Sequence, residues 1–249
     1  MPRRKSNTYY IYMAFGIAAM ILLFHAFDII THLNAYLFAP GGDGIKNYFT
    51  TMYYVKYDSN WHFTGMNYPY GEHSAYTDNQ LWITLLLKYL GSRYQGTEDF
   101  TVMFMNFFML ASIFPCLYFL YKILKYFGVT SGYASIAAVL ITFLSPQLDR
   151  ITGHYALSYV WVFPALWFFT LKVTEKLRYI NAFWVVVILV IAAGLHAYYL
   201  AIGGGFLLSL AFCNIFFFKE KHRVQTSIIV VACVVIAYVL FQAFLYSTG

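Results

Sequence analysis

The chain has 249 residues, of which 61% are hydrophobic and only 10% charged, with a formal net charge of +6. So few charges cannot cover a soluble globule of this length, which excludes a water-soluble enzyme and makes lipid the solvent for most of the chain. The Lys and Arg residues sit in pairs and triplets at the ends of apolar runs, not on one face, so they report membrane topology and argue against a nucleic-acid partner.

Arg3, Arg4 and Lys5 form a basic cytoplasmic tail (1–8) ahead of an apolar run from Tyr9 to Phe27. That run is long enough to span and no small-residue cleavage site follows, so it reads as a retained signal anchor. Residues 28–99 are the one long polar segment and form an outer loop. Six further apolar runs occupy 100–249: Phe100 to Tyr121, Val129 to Leu148, Tyr155 to Leu171, Tyr179 to Leu195, Ala197 to Phe218, and Val224 to Leu245. The expected fold is all-α integral membrane with about seven transmembrane helices in a single module. The fifth and sixth runs form one tract of about 40 residues, roughly 60 Å as a single helix, twice a bilayer core. It must fold back near His196, where Gly194 and Gly203-Gly204-Gly205 loosen the helix. Cys116, Cys213 and Cys233 lie inside apolar runs without metal or redox spacing and read as packing residues.

With the N-terminus inside, 11 of the 16 basic residues fall in cytoplasmic segments, among them Lys122, Lys125, Lys172, Lys176, Arg178, Lys219, Lys221 and Arg223. The positive-inside rule thus supports the orientation at every loop. The acids and histidines sort the other way, which concentrates potential chemistry on the outer face.

Within the outer loop, Gly44 to Ser59 reads as a helix with Ile45, Phe49 and Met52 on one side. Gln80 to Leu90 repeats Trp82, Leu85, Leu86 and Tyr89 at helical spacing. Both are expected to lie in the membrane interface. Between them, Asn67-Tyr68-Pro69-Tyr70-Gly71 reads as a turn.

Several residues could carry chemistry. Asp43, in Gly41-Gly42-Asp43-Gly44, could act as a general base or hold a cation, or simply cap the helix it precedes. Asp149-Arg150 with His154 could bind a phosphate through the guanidinium while the acid orients it, or be a surface ion pair at a helix end. His25, Asp28 and His32 share a helical face at i, i+3 and i+7, compatible with a divalent cation and equally with a polar stripe at the bundle's mouth. Thr77-Asp78-Asn79-Gln80 caps the second interfacial helix or lines a pocket, with capping preferred. His196 reads as a hydrogen-bonded structural residue. Tyr68 and Tyr70 are the aromatics that could stack on a sugar.

One membrane helix, a long outer loop with an early Asp, and six further helices with a second acid in a short outer loop resemble the GT-C superfamily of polytopic glycosyltransferases, closest to bacterial members. The matching positions are Asp43, Tyr68-Pro69-Tyr70-Gly71, Thr77-Asp78, Gly153-His154-Tyr155-Ala156-Leu157 and His196-Ala197-Tyr198. The resemblance implies a polyprenyl-phosphate-linked sugar donor, a glycan, lipid or protein acceptor, and transfer with inversion at the extracytoplasmic face of a bacterial inner membrane. It implies Asp43 as the catalytic carboxylate and Asp149 as the second acid. Arg150, His154, Asp78, His196, Tyr68 and Lys46 then become candidates for binding donor phosphate or substrate. The superfamily usually continues past a seventh span, so the chain is expected to be a minimal module or the N-terminal part of a longer protein. Two other classes compete: a lipid or solute transporter, and a non-catalytic subunit that binds a partner through Trp82 and Tyr89. Spans without interior charge and without repeated halves count against the first.

Overall fold

The computed structural model describes residues 8–217 and 222–248. Arg3, Arg4, Lys5, Lys219, Glu220, Lys221 and Gly249 lie outside the described residues. The described helices are α1 (Tyr9–His25), α2 (Phe27–Thr31), α3 (Gly42–Tyr57), α4 (Leu81–Arg93), α5 (Thr101–Ala111), α6 (Ile113–Tyr126), α7 (Ser131–Phe143) and α8 (Pro146–Asp149). They continue with α9 (Val162–Glu175), α10 (Tyr179–Leu195), α11 (Tyr198–Phe217) and α12 (Arg223–Thr248). Among the described residues, the one departure from an all-α fold is a two-stranded antiparallel ribbon, β1 (His62–Phe63) and β2 (Glu72–His73), with His62 opposite His73.

Among the described residues, five stretches are long and apolar enough to cross a membrane: Thr97–Tyr126, Ser131–Thr152, Tyr155–Glu175, Tyr198–Phe217 and Arg223–Thr248. The chain is accordingly a membrane protein. α1 and α10 lie where the other two spans were expected, but each has 17 residues. That gives about 25 Å of helix against a hydrocarbon core of about 30 Å. α1 stops short of Phe27 because the backbone breaks at Ala26 (φ −124°). α10 ends at Leu195, followed by an extended His196 (φ −163°), so the long tract turns at the expected residue. Gly203, Gly204 and Gly205 do not loosen it; they lie within α11. A Cβ on Gly204 would come 3.2 Å from Val234 Cγ1, so this glycine permits close approach of α12.

The chain divides into two compact units, one holding the chain up to Gly44 with Phe100–Phe168, the other Ile45–Asp99 with Phe169–Gly249. The core of the first is built on α1, α6 and α7. Ala14, Ala18, Ala134 and Ala138 are fully buried there around Leu117 and Tyr121. Small side chains let these helices approach closely where lipid supplies no hydrophobic drive between them. Ser135 Oγ donates to Tyr10 O at 2.6 Å across the α1–α7 contact.

In the second unit α12 packs on α10 and α11, and α4 docks on α10. Trp82 Nε1 donates to Ile191 O at 3.0 Å, and its indole covers Gly194 so closely that a Cβ there would fall 2.0 Å from Nε1. On the two loop helices, Ile45, Phe49 and Met52 of α3 and Leu86 and Tyr89 of α4 are exposed. The buried faces carry Asn47, Thr50, Thr51 and Tyr54 on α3, and Leu81, Ile83, Thr84 and Leu87 on α4. Of these buried hydroxyls, Thr50 Oγ1 bonds the backbone, donating to Lys46 O at 2.9 Å. The ribbon closes through the predicted turn, where Gly71 (φ +66°) has no room for a Cβ, which would meet His62 Nε2 at 2.5 Å. It rests on α12, with His73 Nε2 and Thr248 Oγ1 2.9 Å apart.

Candidate functional site

Two clusters of ionisable side chains form, one in each unit. The first begins with the segment that leads to Asp43. Asn106, fully buried in α5, donates from Nδ2 to Leu33 O at 2.8 Å and Tyr36 O at 2.7 Å. A single amide inside an apolar helix thus fixes the path of a segment that has no regular structure of its own. Gly42 then adopts φ +57°, and Gly44 packs so tightly that a Cβ would lie 2.0 Å from Ala39 Cβ and 3.1 Å from Gly153 O. Asp43 therefore sits inside the first turn of α3, not at the cap, on backbone held against the Gly153 loop.

That loop is held from its other end. Ser145 Oγ accepts from Gln147 N at 3.3 Å and starts α8. Gln147 Nε2 donates to Leu157 O (3.0 Å) and Tyr159 O (3.1 Å). The N–H of His154 donates to Arg150 O at 2.7 Å. Tyr155 behind it is fully buried and stacks on Phe38. The result places His154 Nδ1 3.4 Å from Asp43 Oδ2, with the two side chains 56% and 65% exposed. A contact so exposed adds little stability. Its geometry, imposed by buried amides and glycines, suits proton transfer at an accessible carboxylate. Asp149 and Arg150 are exposed on the same loop, and among the described residues neither has a salt-bridge partner. The expected Asp149–Arg150 pairing is thus corrected: neighbours on helical turns point apart, and the acid beside His154 is Asp43.

The second cluster centres on Asp78, in the left-handed region at φ +60°. Lys46 Nζ donates to Asp78 Oδ2 at 2.9 Å, and His196 Nε2 lies 3.2 Å from Asp78 Oδ1. The backbone N–H of Tyr198 donates to His196 Nδ1 at 3.1 Å, so Nδ1 is an acceptor and the ring hydrogen sits on Nε2, facing the carboxylate. The His196 hydrogen bond, helped by Lys46 and opposed by burial, holds the Asp78 carboxyl down to about 2. The expectation that these residues cap α4 is corrected. Gln80 occupies the cap position with no side-chain capping hydrogen bond, and Thr77 Oγ1 donates back to Ser74 O at 2.8 Å. Asp78, Asn79 and His196 instead line a cavity of about 220 Å³, with Tyr76 and Tyr198. Asn79 is 3% exposed, and among the described residues neither its Oδ1 nor its Nδ2 has a hydrogen-bond partner.

A model of a family described as a domain of unknown function, DUF6311, matches residues 13–249. The chain belongs to the DUF6311 family. No curated protein and no solved structure matches it.

The remaining candidates of this DUF6311 chain lie apart from both clusters. Tyr68 and Tyr70 stand 93% and 85% exposed on the ribbon's turn. His25, Asp28 and His32 do not converge, because the helix breaks at Ala26 and His32 Nδ1 turns to Asp28 O at 3.1 Å. Among the described residues no three His, Cys, Asp or Glu side chains gather closely enough to hold a metal ion. Trp82, expected to bind a partner if the chain were a subunit, is committed to α10. Asn106 and Gln147 are not among the residues that the sequence singles out. Their one signal in the sequence is an amide lodged in or beside an apolar run.

Proposed function

We propose that the chain is the transmembrane module of a GT-C-type glycosyltransferase, moving a sugar from a polyprenyl-phosphate-linked donor to a glycan, lipid or protein acceptor with inversion. The reading takes seven spans, with α1 and α10 crossing where the bilayer thins. It places the N-terminus in the cytoplasm of a bacterium and the reacting face outside the inner membrane. Its principal support is the Asp43–His154 contact: two residues far apart in sequence, held 3.4 Å apart on an exposed surface.

In this mechanism Asp43 removes the proton of the acceptor hydroxyl as that oxygen attacks the anomeric carbon. The bond from that carbon to the phosphate oxygen breaks, and its electron pair leaves with the lipid phosphate. His154 orients the carboxylate, and Asp149 is a second acid on the same loop. Arg150 meets the charge that grows on the phosphate, which it stabilises more in the transition state than in the ground state.

The test is the lipid that co-purifies with the chain in mild detergent, identified by mass spectrometry for wild type, Asp43→Asn and Arg150→Ala. A glycosylated polyprenyl phosphate kept by Asp43→Asn and lost by Arg150→Ala is the expected result. Bulk phospholipid alone in three stable preparations would overturn the donor assignment.

A further inference from the structure

The junction between the ribbon and α12 is built around an imidazole whose two nitrogens have opposite, fixed roles. We propose that His73 is a proton-operated latch: neutral, it fastens residues 61–76 to the end of α12, and protonated, it lets that segment go.

The hydrogen-bond directions follow from donor chemistry alone. A backbone N–H can only donate, so the N–H of Ala75, 3.1 Å from His73 Nδ1, makes Nδ1 an acceptor without a hydrogen. In a neutral ring the hydrogen then sits on Nε2, which donates it to Thr248 Oγ1 at 2.9 Å. Thr248 Oγ1 donates in turn to Phe244 O at 2.6 Å. A second proton has no place in this chain. On Nδ1 it would set one N–H against another, so the ring must turn, and turning it carries Nε2 away from Thr248.

Nothing around the ring compensates a charge. Among the described residues no carboxylate forms a salt bridge with His73. Tyr76 and Phe244 face it with ring centroids at 6.1 and 6.0 Å, and α4 reaches Phe244 with the uncharged Trp82. α12 carries no Asp, Glu, Lys or Arg in residues 224–248. On β1 the cross-strand neighbour is His62, which in acid adds a like charge. Glu72, the next residue along β2, points to the other face of the ribbon and accepts from Asn67 Nδ2 at 3.0 Å. Burial accordingly pushes the His73 imidazole below the usual histidine value of 6.5.

The latch holds more than itself. Trp61 packs edge-on against Phe244 at 4.8 Å, and the N–H of Ser74 donates to Trp61 O at 2.8 Å, so both ends of the segment meet at α12. The short turn Ser74–Tyr76, which His73 caps, supplies Ala75 and Tyr76 to the wall of the Asp78 cavity. Release therefore unfastens one wall of that cavity, and acid regulates access to it. This inference concerns the movement and does not depend on sugar transfer.

A released ring takes its proton at the ordinary histidine value and the latched ring below it. The opening constant is thus steady well above 6.5 and grows as pH falls through it, by at most about tenfold between about pH 7.5 and about pH 5.5. Hydrogen exchange of the purified chain in detergent, read by mass spectrometry and corrected for the intrinsic pH dependence of amide exchange, reports opening as lost protection in residues 61–76. Wild type is compared with three variants whose thermal midpoints are recorded alongside. His73→Asn keeps a side-chain acceptor for the Ala75 N–H but has no proton to gain. His62→Asn removes the ribbon's other imidazole. Thr248→Val keeps both imidazoles and removes the acceptor of the Nε2 hydrogen.

The expected result is a fall in protection of about three- to tenfold over that range in wild type and His62→Asn, and none in His73→Asn. Thr248→Val should already be about fivefold less protected at about pH 7.5. Four results would overturn the latch: constant protection of residues 61–76 in wild type; an undiminished fall in folded His73→Asn; loss of the fall in His62→Asn, which would give the proton to His62; or wild-type protection in Thr248→Val. Because no turnover is read, these results leave the transferase proposal to its own test.

Discussion

The two clusters use the same residue types in opposite ways. At Asp43 the carboxylate and its imidazole are more than half exposed, and the backbone beneath them, pinned by Asn106, Gln147 and Gly44, carries the precision. At Asp78 the carboxylate is sheltered and both oxygens already have protein partners, so the side chains themselves make the structure. An acid and a histidine in contact therefore do not define a role. Where their hydrogen bonds and their solvent lie does: the first pair keeps its charge available to an incoming molecule, whereas the second spends it internally.

The contrast predicts a stability difference. Asp78→Ala removes two hydrogen bonds to a sheltered carboxylate, for a loss of about 2–3 kcal/mol. Asp43→Ala, at an exposed pair, should cost under about 1 kcal/mol. Unfolding in detergent, followed by circular dichroism, compares them; equal losses would dissolve the distinction between the clusters. Gly44→Ala tests the claim that backbone places Asp43. Its Cβ would collide with Ala39 and press on Gly153, costing about 1–3 kcal/mol. It should also lower transfer with every ionisable group intact. Wild-type transfer by Gly44→Ala would show that the close approach is dispensable.

How much of this the sequence discloses follows from the same contrast. The apolar runs place the helices, because lipid demands length and composition that few other patterns mimic. Asp43 and His154 stand out singly, but their pairing depends on Asn106 and Gln147, whose hydrogen bonds join distant segments through backbone carbonyls that no local pattern reports. Asp78 misleads for a local reason: Thr-Asp-Asn-Gln before an apolar helix has the composition of a cap, and only the left-handed backbone at Asp78 turns those side chains into the cavity.

The smallest effect is a pH dependence. The Asp78 carboxyl is depressed from 3.8 to about 2 in the fold, chiefly by the His196 hydrogen bond. A depressed acid contributes stability that is complete above its unfolded value and is lost as pH falls through the folded one. Stability should therefore be insensitive to this group above about pH 4 and decline from there towards pH 2. Asp78→Asn should flatten that part of the profile. A slope unchanged in Asp78→Asn would show that the titration does not belong to Asp78.

The most direct measurement is the rate of sugar transfer from a polyprenyl-phosphate-linked donor by the reconstituted chain, with kcat and KM separated for Asp43→Asn and Asp78→Asn. A general base is worth about 10²- to 10⁴-fold, so Asp43→Asn should lower kcat by that factor with the thermal midpoint unchanged. Asp78→Asn should act mainly on KM. Transfer by folded Asp43→Asn at the wild-type rate would contradict the assignment of the exposed Asp43–His154 pair to catalysis.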